Sequence, residues 1–224
     1  MDSTFSEYDN AVIGRIQSVD PVNFYGARAG GPNEKKALAI IKYAIEDLMG
    51  WSVDKTINEF DEDVMEVMKL DKLMHYIDFP IEVDTGDINY ILSRLYPNKV
   101  NISAENLIEE AYLRVLNADD EDAEGSARQF PREYFTGSVG FKRFCYCVKY
   151  LIDNFMVMES VEDIYKFFES PKGKRFLYDK RLKVPADQFS INMLDVIHYI
   201  TSNDPDSELY YIYFKYLNQI ADQS

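Results

Sequence analysis

Eight prolines divide the chain, and none falls inside a stretch of helical periodicity. Pro21, Pro32, Pro80, Pro97, Pro131, Pro171, Pro185 and Pro205 all lie between such stretches. Proline removes a backbone donor and clashes with the preceding turn, so this placement predicts a succession of helices with breaks at known positions. Within the segments, apolar residues recur every three or four positions. Ala37, Ile40, Ile41, Ala44, Ile45 and Leu48 form one stripe, followed by Gly50. Phe141, Phe144, Cys145, Val148, Leu151, Ile152 and Phe155 form the strongest. Burying such side chains stabilises by roughly 1.5–3 kcal/mol each, which predicts a core helix here. The last stripe, Leu209, Ile212, Tyr213, Tyr216, Leu217 and Ile220, predicts a buried face near the C-terminus.

Residues able to accept from free helix-start amides precede many of these stretches: Ser52, Asp61, Ser103, Ser160, Ser170 and Asp204. The first helix is expected over about Phe5–Val19, others over Asp87–Leu95 and Ala104–Leu116. Strand patterns are thin, at most 79–83 and 100–103, and no alternating βαβ pattern is present. The expectation is an all-α fold, an irregular bundle of eight to ten helices in two lobes with little or no β structure. Residues 1–117 would form the N-terminal lobe and 131–224 the C-terminal one. Between them lies 118–130, where Asp119, Asp120, Glu121, Asp122 and Glu124 read as a solvated acidic linker.

Charge narrows the function. The chain carries 24 basic and 39 acidic residues, a net −15. Such a field repels nucleic-acid phosphates and anionic membranes, so direct nucleic-acid binding is disfavoured. Residues 52–80 suggest a helix-turn-helix by helix spacing, but three lysines face eight acids there, and a groove-reading helix would be repelled. The longest apolar run, Leu209 to Phe214, is six residues, against the ~18 that span a bilayer. The N-terminus lacks the basic and apolar regions of a signal peptide, so a cytoplasmic location without membrane contact is expected.

Catalytic and metal chemistry finds little to build on. Cys145, Cys147, His75 and His198 are the only cysteines and histidines. The two thiols point about 200° apart on a helix and cannot share a metal. Cys145 lies on the apolar stripe and should be buried, whereas Cys147 lies off it and should be accessible. The acidic stretch puts Asp120, Asp122, Glu124 and Gly125 at the first, third, fifth and sixth positions of an EF-hand loop. The twelfth, which must be a bidentate carboxylate, is Pro131. No catalytic residue, metal site or cofactor is assigned.

Three segments retain functional interest. The approach to the second helix holds Gly26, Arg28, Gly30, Gly31, Asn33, Lys35 and Lys36. Glycines permit close backbone approach, and the helix start offers free amides, so a phosphate or carboxylate could bind. The spacing matches neither a P-loop nor a dinucleotide fingerprint. The second segment carries Lys172, Lys174, Arg175, Lys180, Arg181 and Lys183 against one acid, with Phe176 and Tyr178 interleaved. It reads either as a phosphate- and base-contacting surface or as a solvated helix face paired with acids elsewhere. The third is the acidic stretch itself. With 17 tyrosines in the chain, it suggests a non-enzymatic regulatory protein that binds another protein through an acidic, tyrosine-rich surface. The partner would present a basic or nucleic-acid-binding surface. The alternative is a phosphate or nucleotide sensor, or an enzyme, using the Gly26–Lys36 segment.

Tyr25-Gly26-Ala27-Arg28-Ala29-Gly30-Gly31-Pro32-Asn33-Glu34 resembles part of an uncharacterised family of bacterial cytosolic proteins. Lys69-Leu70-Asp71-Lys72-Leu73, Tyr76-Ile77-Asp78-Phe79-Pro80 and Tyr134-Phe135-Thr136-Gly137-Ser138 resemble it less strongly. The resemblance implies no activity and no site.

Overall fold

The computed structural model describes residues 3–17, 28–118, 129–157, 159–189 and 192–222. Among them no strand forms, and every regular element is helical. The chain divides into two compact units, Met1–Ser103 and Ala104–Ser224.

The first unit contains α1 (Ser3–Val12), α2 (Gly31–Tyr43), α3 (Val53–Glu59), α4 (Glu62–Val67) and α5 (Ile88–Leu95). A π-helical turn, Ala44–Leu48, continues α2, and a 3-10 helix, Asp71–Tyr76, follows α4. Ile40, Ile41, Ala44 and Ile45 are fully buried, together with Tyr8, Leu70 and Ile91. Ser52, Asp61 and Asp87 each accept from an amide three residues on, so α3, α4 and α5 start where capping chemistry predicts. Tyr8 donates to the Met68 carbonyl at 2.8 Å, tying α1 to the end of α4. α1 is shorter than expected: it ends at Val12, the chain turns by Gly14, and residues 18–19 lie outside the described ones.

The second unit contains α6 (Ala104–Leu116), α7 (Gly137–Phe155), α8 (Val161–Glu169), α9 (Pro171–Asp179), α10 (Lys183–Phe189), α11 (Met193–Asn203) and α12 (Glu208–Ala221). α7 is the core helix, packed against α6, α10 and α11. Contact on several sides buries more than one face. Cys147 is therefore as fully buried as Cys145, contrary to the expected accessible thiol. It shares a face with Tyr150, whose ring meets Tyr112 of α6 edge-on at 5.8 Å. α6 packs with α7, so the division falls at Ser103 and Ala104, ahead of the acidic stretch.

Three further expectations are corrected. The helical runs number thirteen among the described residues, counting α2 and its π turn as one, because several are too short to carry a visible period. Pro185 lies within the first turn of α10, where a missing N–H costs nothing. α12 starts later than Asp204 and is capped by Ser207. It buries Leu209 only; Leu217 and Ile220 stay exposed, so the apolar stripe there is wider than its packing. No helix among the described residues is long and apolar enough to cross a membrane.

Candidate ligand-binding site

The glycine-rich approach to α2 is furnished with the chain's own carboxylates. Gly30, at φ 81°, serves as N-cap without a side chain, and its amide donates to the Tyr76 carbonyl at 2.9 Å. Asp78 packs against Gly30, with Oδ2 3.4 Å from where a Cβ would stand. Glu34, in the first turn of α2, is buried and pairs with Arg94 at 2.9 Å. Two carboxylates therefore already complement the positive end of the helix, and an added anion would meet them. Asn33 is buried and donates to the Arg28 carbonyl at 2.7 Å, fixing the loop. Arg28, Gly31 and Lys35 are exposed, Gly30 and Lys36 half-buried, and Gly26 lies outside the described residues.

The six basic side chains of the second segment have different surroundings. Lys172, Lys174 and Arg175 are exposed on α9, and Arg175 pairs with Asp179 at 2.9 Å. Lys180 sits with its ammonium 3.7 Å from the centroid of the Phe155 ring, an orientation that favours a cation. Arg181 and Lys183 go elsewhere: they line a cavity of about 420 Å³ in the second unit.

That cavity gathers residues the sequence does not show together. Arg132 joins Arg181 and Lys183; Phe130, Phe135 and Tyr178 add aromatic surface; Gln129 and Gln188 add carboxamides. Val115, Pro131, Val184 and Pro185 complete the wall, and no Asp or Glu is present in it among the described residues. Three cations thus line one cavity of a chain that is −15 overall. Phe130 belongs to an aromatic cluster, stacked near Tyr134 at 4.9 Å and edge-on to Phe135 at 4.7 Å. The Gln188 side-chain amide donates to the Phe135 carbonyl at 2.9 Å, joining α10 to the loop before α7. Lys183 also pairs with Asp187 at 3.4 Å. Arg132 could have drawn notice from its setting, Phe130-Pro131-Arg132-Glu133-Tyr134-Phe135, but nothing local links it to Arg181.

Asp119, Asp120, Glu121, Asp122 and Glu124, with the EF-hand-like positions, lie outside the described residues. Among the described residues no group of three His, Cys, Asp or Glu could hold a metal ion.

Fold and site thus define an all-helical protein with a cationic, aromatic-lined cavity in its second unit. A family described as a protein of unknown function (DUF4046) matches residues 115–202, a span that contains every residue of the cavity wall. Of the segments that resemble an uncharacterised family, only 134–138 falls within that match. Comparison with curated proteins and with solved structures gave no match.

Proposed function

We propose that the second unit is a receptor for a small anionic molecule with a flat apolar part, acting by binding rather than turnover. The lining of the 420 Å³ cavity carries this reading: three cations, three aromatic rings and two carboxamides, with no acid among the described residues. Its volume falls in the range of about 300–1,000 Å³ typical of small-molecule sites. Neighbouring cations repel one another, and a bound anion would relieve that repulsion. The rings supply apolar area, and the carboxamides supply donors and acceptors that orient a ligand.

The Gly26–Lys36 segment is the less favoured anion site, because Glu34 and Asp78 stand where an anion would enter. Thermal unfolding with phenyl phosphate and AMP, against phenol and adenosine, tests the reading. The charged members should stabilise the protein by about 2.7 kcal/mol at a hundred times their dissociation constant. Arg132→Ala should diminish that shift and Arg28→Ala should leave it intact. Equal shifts from the neutral compounds, or no shift from any, would overturn the reading. Loss of the shift in Arg28→Ala alone would return the site to the glycine-rich segment.

A further inference from the structure

α12 carries more apolar surface than the second unit covers. It packs against α11 and α8, yet along its 14 residues it buries Leu209 alone. Tyr211 and Phe214 stand about 140–160° round the helix from Leu209, and they are 65% and 53% exposed. Leu217, on the flank between, is 43% exposed. The rings of Tyr210 and Phe214 lie near-parallel at 6.2 Å, which makes this side of the helix a flat aromatic surface.

Spacing and charge say what that surface fits. Tyr210, Phe214, Leu217 and Ala221 follow one another at steps of four, three and four, which brings side chains to one seam of a helix pair. Past Glu208, α12 holds one charge, Lys215, which lies off that seam, and no carboxylate. The chain as a whole is −15, so two copies repel each other in general. A seam built without acid lowers that repulsion at the point of contact.

We propose that this side of α12 is an interface between two copies of the chain, their helices antiparallel about a two-fold axis between Lys215 and Tyr216. Reversal sets Phe214 of each copy against Leu217 of the other, and Tyr210 against Ala221, so a larger side chain meets a smaller one in each layer. Parallel helices would set Tyr210 on Tyr210 and leave a gap between two alanines. Opposed helix dipoles favour the reversed order as well. Aromatic side chains carry about 150–250 Å², so at these exposures Tyr211 and Phe214 leave about 100 Å² each. With Leu217 and the edges of Tyr210 and Ile220, one copy offers about 400 Å². A pair then buries about 800 Å², below the roughly 1,200–2,000 Å² of stable complexes. The area therefore sets the kind of assembly: a weak, reversible dimer with a dissociation constant of roughly 10–500 μM.

Sedimentation velocity of the full chain, from about 5 to about 500 μM, should show a reversible shift from 26.1 kDa towards twice that mass. Raising sodium chloride from about 50 to about 500 mM should tighten the association, since salt screens the opposing charge. Phe214→Glu and Leu217→Glu should each weaken it at least about tenfold. Both side chains are exposed, so the melting temperature at the lowest concentration should stay within about 2 °C. Val67→Glu, at another exposed apolar side chain, should leave the association unchanged. Cysteines report the orientation: Tyr210→Cys mixed with Ala221→Cys should cross-link, and neither should link to itself. The native Cys145 and Cys147 are buried and do not compete. One species of 26.1 kDa at every concentration would overturn the proposal. So would association that both glutamate variants retain, that Val67→Glu removes equally, or that added salt weakens. A lowered melting temperature in Phe214→Glu at the lowest concentration would show this face to be packed within its own chain, and would overturn it too. Ala221→Cys linking to itself would overturn the antiparallel order.

Discussion

At Gly173 the backbone of α9 passes so close to the end of α8 that a side chain has no room. A Cβ there would stand on the carbonyl oxygen of Phe167. Replacing glycine by alanine inside a helix ordinarily stabilises by about 0.5–1 kcal/mol. Gly173→Ala should instead destabilise by about 2 kcal/mol or more, since a rigid backbone carbonyl must move; urea denaturation measures the sign directly. The sequence shows Gly173 as one member of a basic run, and its packing role depends on a helix crossing that no local pattern records. Cys147 carries the same lesson. Its position off the apolar stripe is correct, but burial follows from how many helices surround α7. For Cys145, burial pushes the thiol up to about 12, consistent with a small core side chain rather than a nucleophile.

Among the elements, helix starts were the most legible feature, because a cap is a local hydrogen bond. Ser52, Asp61, Asp87, Ser160 and Ser170 all accept from the first-turn amides of the helices they precede. Asp204-Pro205 resembles such a start as well as Ser207 does, and only the packing of α12 on α11 decides between them. Contacts between elements were not legible. Lys149 of α7 is the clearest case: its ammonium lies 2.9 Å from Asp153, 3.4 Å from Glu105 of α6 and 3.4 Å from Asp204 at the end of α11. Burial alone would push this lysine down, but the surrounding carboxylates more than offset that and its pKa is raised. One cation thus holds three acidic side chains from three elements. Lys149→Met should destabilise the protein by about 1–3 kcal/mol, because the carboxylates would face one another unneutralised. Raised salt should recover part of the loss by screening them, and denaturation with and without added salt checks both effects.

At the scale of the whole molecule, two cores formed from separate stretches of chain explain why helical class was readable and the cavity was not. Periodicity reports which residues face inward; it carries no record of which inward faces meet. Arg132 and Arg181 lie in different elements, so their convergence is a property of the packed unit. Both units also share a dependence on neutral tyrosines. Burial, followed by the charge and hydrogen bond of Glu46, pushes Tyr96 up to about 12 in the first unit. Burial foremost also raises Tyr8 in the first unit and Tyr112 in the second. An unfolded chain ionises its tyrosines near pH 10, so above that value it sheds protons that the folded state retains. Stability contributed by these phenols is therefore fully present below about pH 10 and is lost as pH rises towards about 12. Melting temperature followed across this range, with tyrosinate absorbance as the companion signal, should fall together with the appearance of ionised phenol.

Tyr112 carries a consequence of its own. Its ring lies near-parallel to Phe130 at 5.9 Å, while its hydroxyl reaches the carbonyl of Lys180, so one rigid phenol spans from the loop before α7 to the end of α9. It acts as a strut of fixed length between these two segments, which cannot part without breaking that bond. Loosening either segment would leave a fully buried phenol without its acceptor, a penalty of about 1–3 kcal/mol that holds the two at one spacing.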